Sequence, residues 1–191
     1  YFPGSQHYTD TWYFRFQLKV LEIFKKFPQY QFVFKVPPNY KEKALYKKIT
    51  KDVGHVEVES KKLTQIIYEP DLYILDSLST TIIQVAATHI PIIAYLGEHC
   101  KKANPEAVKL LEKRARCGKN EKSFLSLIEG TLQSPDQIIN FPFDDNFLYE
   151  YGTGPCPGDR EWSETIQGII QRTHLDAKNR GKNDHEFICS S

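Results

Sequence analysis

The chain has 191 residues, enough for one domain with a sizeable core, and its formal net charge is +1 at pH 7. A charge this close to neutrality gives no electrostatic field for nucleic acid or for an acidic membrane surface. The 12 Phe and 11 Tyr argue against disorder, and no apolar run reaches the ~20 residues that a transmembrane helix needs.

Cysteine usage indicates the redox compartment. The four cysteines lie far apart, without C-x-x-C spacing or paired histidines, and so predict reduced thiols in a cytoplasmic protein. Neither a disulfide framework nor a zinc site is expected, and we predict no metal ligands. Because the chain begins with Tyr1 and contains no Met, we expect it to be part of a longer protein.

The amino-terminal segment predicts a helix and then a strand. Loosely spaced apolar residues over 12–27 fit an amphipathic helix, which Pro28 ends. The alternating run at 31–36, QFVFKV, is typical of a strand. A polar loop that contains His7 precedes this pair.

A basic helix and a second strand follow. We predict the helix over residues 41–51, with Leu45 and Ile49 facing inward and the lysines forming a solvated face. The run HVEVE at 55–59 has the period of a strand. Ser60 is then the predicted N-cap of the next helix.

The stretch 71–97 combines a strand, a polar turn, a helix and another strand. The apolar run 71–75 is too short for a helix, and the turn after it leads to Ser79, the predicted N-cap of a helix. Pro91 opens a second apolar run at 92–95. Connections this short predict a right-handed βαβ unit with parallel strands.

Beyond residue 97 the pattern loosens. Asn104 is the predicted N-cap of a helix that closes at Gly118, and a second helix is expected over 123–132. We read 147–151 as a short strand or turn and 161–173 as a final helix.

The recurrence of strands near residues 31, 55, 71 and 91 predicts the fold class. It is an α/β fold, with a doubly wound, mostly parallel sheet and helices on both faces. We expect a single domain over residues 1–175 and a polar carboxyl-terminal tail over 176–191.

The polar turn after residue 75 is the strongest candidate site. It places the hydroxyls of Ser77, Ser79, Thr80 and Thr81 at a helix N-terminus beside the carboxyl end of a parallel strand, where anions and ligands bind. Lys35 ends an earlier strand and supplies a cation if it faces the same cleft. The alternative is purely structural, since Ser and Thr cap helices in α/β proteins generally.

A resemblance to a known family rests on two segments. The run DLYILDSLSTTIIQVAATHIPIIAY at 71–95 resembles the donor-side segment of GT-B glycosyltransferases, of the surface-polysaccharide and CDP-glycerol glycerophosphotransferase-like kind. Lys35 and Pro38 match a K-x-H-P motif of these relatives. Two positions depart from the pattern, because Pro37 replaces the His of that motif and Gln84 stands where Glu is more common.

The resemblance implies the Rossmann-like half of a GT-B fold that binds a nucleotide-activated donor. The implied contacts to the donor phosphates are Ser77, Ser79, Thr80, Thr81, Lys35 and His7. Those to the ribose or base are Gln84 and Asp76, and the residues on the sugar side are Glu98 and His99.

The resemblance also implies an activity, the transfer of a sugar or polyol phosphate to a carbohydrate acceptor in cell-surface polysaccharide synthesis. The donor is a substrate and no cofactor is implied. The acceptor site and any general base are expected from a missing N-terminal domain, so the chain alone would bind without turnover and no catalytic residue is assigned. Peripheral association with the inner face of the membrane would come from other parts of the protein.

Three alternatives stay open. A nucleotide-sugar epimerase shares the architecture but needs acidic residues and a His around the sugar. A non-catalytic α/β binding module descended from a transferase is favoured by the departures at Pro37 and Gln84. A flavodoxin-like receiver or flavoprotein is the third, although only Asp76 of the receiver's acidic cluster has a suitable position.

Overall fold

The computed structural model describes residues 10–37, 43–97 and 104–152. These residues form eight helices and five strands. The helices are α1 (Asp10–Phe24), α2 (Lys43–Thr50), α3 (Leu63–Ile66), α4 (Thr81–Ala86), α5 (Pro105–Arg114), α6 (Glu121–Gln133), α7 (Asp136–Ile139) and α8 (Asn146–Tyr151). The strands are β1 (Phe32–Lys35), β2 (Val56–Glu59), β3 (Tyr73–Leu75), β4 (Ile92–Tyr95) and β5 (Arg116–Gly118). No helix in these ranges is long and apolar enough to cross a membrane.

All the strand pairs are parallel, and they fall into two small sheets. β1 pairs with β2, while β3, β4 and β5 form a three-stranded sheet in that order. The predicted α/β class and the parallel βαβ unit formed by β3, α4 and β4 are therefore confirmed. A single doubly wound sheet stays a prediction.

Helices cover both faces of the three-stranded sheet, as the alternation along β4 demonstrates. Ile93 and Tyr95 belong to a core cluster that includes residues of α1 and α6. Ile92 and Ala94 belong to a second cluster, built with residues of α4, α5 and α8. All four β4 side chains are buried, which is expected for a central strand of a parallel sheet.

The two-stranded sheet is covered more on one face than on the other. Phe32 stacks on Phe24 of α1 with ring centroids 4.0 Å apart, and Phe34 stacks on Tyr46 of α2 at 5.1 Å. Val33 points away from these rings and is 53% exposed. The core near β1 therefore lies between the sheet and helices α1 and α2.

Tyr46 takes the inward position on α2 that the sequence assigned to Leu45. Leu45 is 41% exposed, whereas Tyr46 is only 4% exposed. The prediction for Leu45 was wrong because the aromatic ring, one residue further along, faces Phe34 of β1.

The predicted helix that closes at Gly118 ends earlier. α5 stops at Arg114, and the next residues form β5 beside β4. Gly118 itself packs against α6, where a Cβ atom would lie 2.4 Å from the Cα atom of Phe124. The glycine therefore allows close packing of a strand on a helix.

The segment 147–151 is helical and belongs to α8, so the prediction of a strand or turn was wrong. Phe147 is fully buried, and its ring packs against the ring of Tyr151, four residues later, with ring centroids 5.6 Å apart. The contact between residues four apart is the spacing of a helix face. The predicted helix at 161–173 and the tail at 176–191 lie outside the described residues.

Two of the three predicted N-caps are displaced. α3 begins after Lys62 rather than Ser60, and α4 begins after Thr80 rather than Ser79. The prediction for Asn104 is confirmed, because its Oδ1 accepts a hydrogen bond from the backbone N–H of Glu106 at 2.9 Å.

Candidate functional site

Asp76 directly follows β3 and leaves the sheet at the carboxyl end of a parallel strand. Its Oδ2 atom accepts two hydrogen bonds from α1, one from the hydroxyl of Tyr13 at 2.7 Å and one from Nε2 of Gln17 at 3.0 Å. The side chain is half-buried. α1 therefore holds one oxygen of a carboxylate at the sheet edge where open α/β folds bind ligands.

A third side chain extends this hydrogen-bond network into the core. The hydroxyl of Tyr46 donates to Oε1 of Gln17, and both residues are buried. A carboxylate only accepts hydrogen bonds, so Gln17 presents its Nε2 to Asp76 and its Oε1 to Tyr46. The network joins α2, α1 and the end of β3.

The other carboxylate oxygen of Asp76, Oδ1, differs from Oδ2 in its partners. Among the residues that the structure describes, none donates a hydrogen bond to Oδ1 of Asp76 and none forms an ion pair with it. Tyr13 and Gln17 are neutral, so they orient the carboxylate without cancelling its charge. The arrangement suits a ligand group that donates a hydrogen bond, such as a hydroxyl or an amine.

Tyr13 remains a donor because its environment opposes ionisation. Burial raises the pKa of Tyr13 well above its ordinary value, and the negative charge of Asp76 raises it further. A side-chain hydrogen bond with Ser77 lowers the same pKa and thereby opposes these effects. The phenol is therefore protonated at neutral pH and donates to Asp76.

The turn between Asp76 and α4 exposes two hydroxyl-bearing side chains. Ser79 and Thr80 are exposed, while Ser77 and Thr81 are half-buried. The Oγ atom of Ser79 accepts a hydrogen bond from the backbone N–H of Thr81 at 3.3 Å, and the side chain of Thr80 makes no capping bond. The Thr80 hydroxyl is therefore not committed to capping α4.

Lys35 lies at the carboxyl end of β1, opposite Glu59 on β2. Its Nζ donates to the carbonyl of Val36. Burial lowers the pKa of Lys35, and the charge of Glu59 acts in the opposite direction. No hydrogen bond or ion pair within the described ranges connects Lys35 to the turn that contains Ser79.

The remaining predicted site residues divide into two groups. Gln84 lies one turn into α4 and is half-buried. His7, Glu98 and His99 lie outside the described residues.

The sequence analysis missed Tyr13, Gln17 and Tyr46, although one signal was present. Tyr13, Phe16, Gln17 and Val20 follow the spacing of one helix face, and Phe16 and Val20 are buried. A glutamine in such an apolar stripe indicates a buried polar partner, because an unpaired buried amide is costly. Which partner it meets depends on tertiary structure.

Other features of the described residues lie away from Asp76. They contain no group of three or more His, Cys, Asp or Glu side chains placed to hold a metal ion. Two surface depressions, of about 360 and 270 Å³, are lined by other segments, around His55 and Cys117 respectively. Neither depression is lined by Asp76 or by the turn that follows it.

The chain matches no protein-family model, no curated protein and no solved structure. Membership of the GT-B glycosyltransferases, which we inferred from the motif at residues 71–95, therefore stays a prediction.

Proposed function

We propose that this chain is the nucleotide-donor-binding half of a GT-B glycosyltransferase. The proposed reaction transfers a sugar or polyol phosphate from a nucleotide-activated donor to a carbohydrate acceptor, in cell-surface polysaccharide synthesis on the cytoplasmic side of the membrane. The observation that carries the proposal is the anchored carboxylate of Asp76, beside the exposed hydroxyls of Ser79 and Thr80, at the carboxyl end of β3.

We further propose that the two small sheets are parts of one doubly wound layer. Gln17 bonds both to Asp76, after β3, and to Tyr46, on the helix that follows β1. This bridge supports a close approach of the carboxyl ends of β1 and β3. Strand order would reverse between these strands, and such a switch point is where open α/β sheets bind nucleotides.

The carboxylate and the hydroxyls at the turn contact different parts of the proposed nucleotide. The open oxygen of Asp76 accepts a hydrogen bond from a ribose hydroxyl, and the negative charge of Asp76 keeps phosphate away from that position. Phosphate oxygens instead contact the hydroxyls of Ser79 and Thr80, with Ser77 and Thr81 nearby. Gln84 reaches the ribose or base from within α4.

Catalysis in this proposal depends on stabilising the leaving diphosphate with hydrogen-bond donors and a cation. Lys35 provides the cation if a bound phosphate draws its Nζ away from the carbonyl of Val36. The acceptor site and general base come from a missing N-terminal domain, and no cofactor is needed. His7 on the phosphate side and Glu98 and His99 on the sugar side complete the proposed set.

A second candidate is a binding module without transferase activity. Pro37 provides no imidazole and Gln84 no carboxylate at the two positions where this sequence departs from the pattern. Such a module would bind the same nucleotide but transfer nothing, even when joined to its other domain.

A calorimetric titration of the chain with CDP, UDP, GDP and CMP tests the proposal. We expect one base to be preferred, with CDP indicating polyol-phosphate transfer and UDP or GDP indicating sugar transfer. Replacing Ser79 and Thr80 together by Ala should cost about 1–3 kcal/mol of binding free energy, the usual range for lost hydrogen bonds.

Ser126→Ala is the matched control, because Ser126 is an exposed serine on α6. We expect this variant to bind the nucleotide like the unmodified chain. Equal affinity of the chain and the Ser79→Ala, Thr80→Ala variant would contradict the phosphate assignment.

A further inference from the structure

The network behind Asp76 is built from residues that no ligand at the sheet edge would touch. Gln17 is 6% exposed and Tyr46 is 4% exposed. We propose that Tyr46, acting through Gln17, is a positioning residue that orients Asp76 to accept a hydrogen bond from a ribose hydroxyl. The inference rests on the proposed nucleotide-binding function and extends it to α1 and α2.

The orientation of the Gln17 amide is the step on which this inference depends. An amide has a donor end and an acceptor end, and only the donor end can face a carboxylate. The Tyr46 hydroxyl donates to the acceptor end and so stabilises this orientation. Without that hydroxyl, Oε1 of Gln17 loses its donor in the core, and the amide is less strongly held with Nε2 toward Asp76.

The position of the Tyr46 hydroxyl is itself fixed by packing. Its ring stacks on Phe34 of β1 with centroids 5.1 Å apart, and the side chain is nearly inaccessible to water. The packing of β1 against α2 therefore fixes the Tyr46 hydroxyl. This hydroxyl fixes the orientation of the Gln17 amide, and the amide in turn orients Asp76.

The energetics favour orientation as the role of this pair. An intramolecular hydrogen bond contributes little net stability, because folding exchanges it for bonds to water, and two well-packed apolar side chains in its place can be nearly neutral. The benefit that apolar residues would not provide is a fixed direction for Oδ1 of Asp76, the oxygen left open to a ligand.

The test compares a ribonucleoside diphosphate with its 2′,3′-dideoxy counterpart, which lacks both ribose hydroxyls. We expect the chain to prefer the ribonucleotide by about tenfold, since a hydrogen bond to a charged group is stronger than one between neutral groups. Tyr46→Phe retains the ring and removes only the hydroxyl. This variant should lose most of the preference while its affinity for the dideoxy nucleotide stays the same.

Two further variants complete the design. Gln17→Met, of similar length and without hydrogen-bonding groups, should lose the same preference and serves if Tyr46→Phe fails to fold. Tyr30→Phe is the control, because the half-buried Tyr30 also donates its hydroxyl, to the carbonyl of Leu132 at 3.2 Å, but belongs to no part of the network. Its preference should equal that of the unmodified chain.

The outcomes separate this inference from general destabilisation. Equal weakening of both nucleotides by Tyr46→Phe would indicate a structural role and overturn the proposal. An unmodified chain that binds both nucleotides equally would overturn the assignment of Asp76 to the ribose.

A ligand-free measurement decides the case in which no nucleotide binds. Hydrogen exchange of the Gln17 side-chain amide, followed by NMR, should be slow in the chain and at least about tenfold faster in Tyr46→Phe, because an opened hydrogen bond exposes the amide. This result would retain the positioning role even if the proposed function failed. Unchanged exchange would overturn the positioning role whether or not nucleotides bind.

Discussion

Asp76 and Arg114 are two charged side chains held by uncharged partners, and they differ in how deeply they are buried. Arg114, at the end of α5, is only 1% exposed. Its Nε donates to the carbonyl of Ala86 at 3.2 Å, and Nη2 donates to the carbonyls of Thr88 and Ile90. Asp76 is half-buried, and no described residue bonds to its Oδ1.

This contrast distinguishes a charge in the core from the charge that we propose binds a ligand. Arg114 bonds the carbonyl of the last residue of α4 and two carbonyls that follow the helix, and its guanidinium carbon lies 4.3 Å from the centre of the Phe143 ring. Burial lowers the pKa of Arg114 to about 10, with Asp145 acting in the opposite direction, so the side chain is charged at neutral pH. Arg114 thus holds the far end of α4 in the core, where its Nη1 is buried and bonds to no described residue, whereas Asp76 lies before the first turn of α4 on a half-buried side chain.

The largest expected effect is the loss of stability in Arg114→Ala. The substitution removes the donor to three carbonyls, two of them in buried hydrogen bonds and one in a part-buried bond. Each unsatisfied buried acceptor costs about 1–3 kcal/mol. We expect urea unfolding to show a loss of about 3 kcal/mol or more. A loss below about 1 kcal/mol would mean that Arg114 is not the structural counterpart of Asp76.

Tyr13→Phe should have a smaller, pH-dependent effect. The pKa of Tyr13 is raised above its ordinary value of 10.0, so above pH 10 the unfolded chain ionises this phenol while the folded chain does not. The stabilisation is complete below pH 10 and is lost as the pH rises. Between pH 8 and pH 11 the free energy of unfolding should therefore fall in both proteins. The fall should be about 1 kcal/mol smaller in the variant than in the unmodified chain.

Urea unfolding of both proteins at pH 8 and pH 11 measures this difference. Parallel losses in the two proteins would show that Tyr13 ionises equally well in the folded state, and the argument that it is a fixed donor to Asp76 would then be wrong.

The smallest effect is expected for Lys113→Ala, one residue before Arg114. Lys113 is a surface cation whose side chain is 59% exposed, and its Nζ lies 4.0 Å from Asp144. Exposed ion pairs contribute about 0–1 kcal/mol, so stability should change by less than about 0.5 kcal/mol in urea unfolding. A cost comparable to that of Arg114→Ala would show that charge rather than burial determines the contrast.

Much of the fold could be predicted from local sequence. The βαβ unit is visible because Pro91 and the polar turn after Leu75 separate three short segments of distinct pattern. β5 could not be predicted in the same way. β5 has only three residues, and the apolar spacing of α5 continues up to the first of them. These residues form a strand because they pair with β4.

The candidate site was only half predictable. Asp76 and the hydroxyls after it are contiguous in sequence, and their place at a strand end follows from local pattern. Tyr13 and Gln17 are 63 and 59 residues away from Asp76, and Tyr46 meets Gln17 across two helices. Contacts at this separation arise from packing, which the pattern of a single chain does not specify.

The central claim, that the open oxygen of Asp76 binds a nucleotide, is tested most directly by titrating Asp76→Asn beside the unmodified chain. The amide oxygen of Asn would keep the bonds from Tyr13 and Gln17, which places its NH₂ group where the open oxygen was. A ligand hydroxyl then meets a donor instead of a carboxylate. We expect the preferred nucleoside diphosphate to bind the variant at least about tenfold more weakly, with unfolding free energy within about 1 kcal/mol of the unmodified chain. Equal binding by both proteins, or no nucleotide binding by the unmodified chain, would contradict the account.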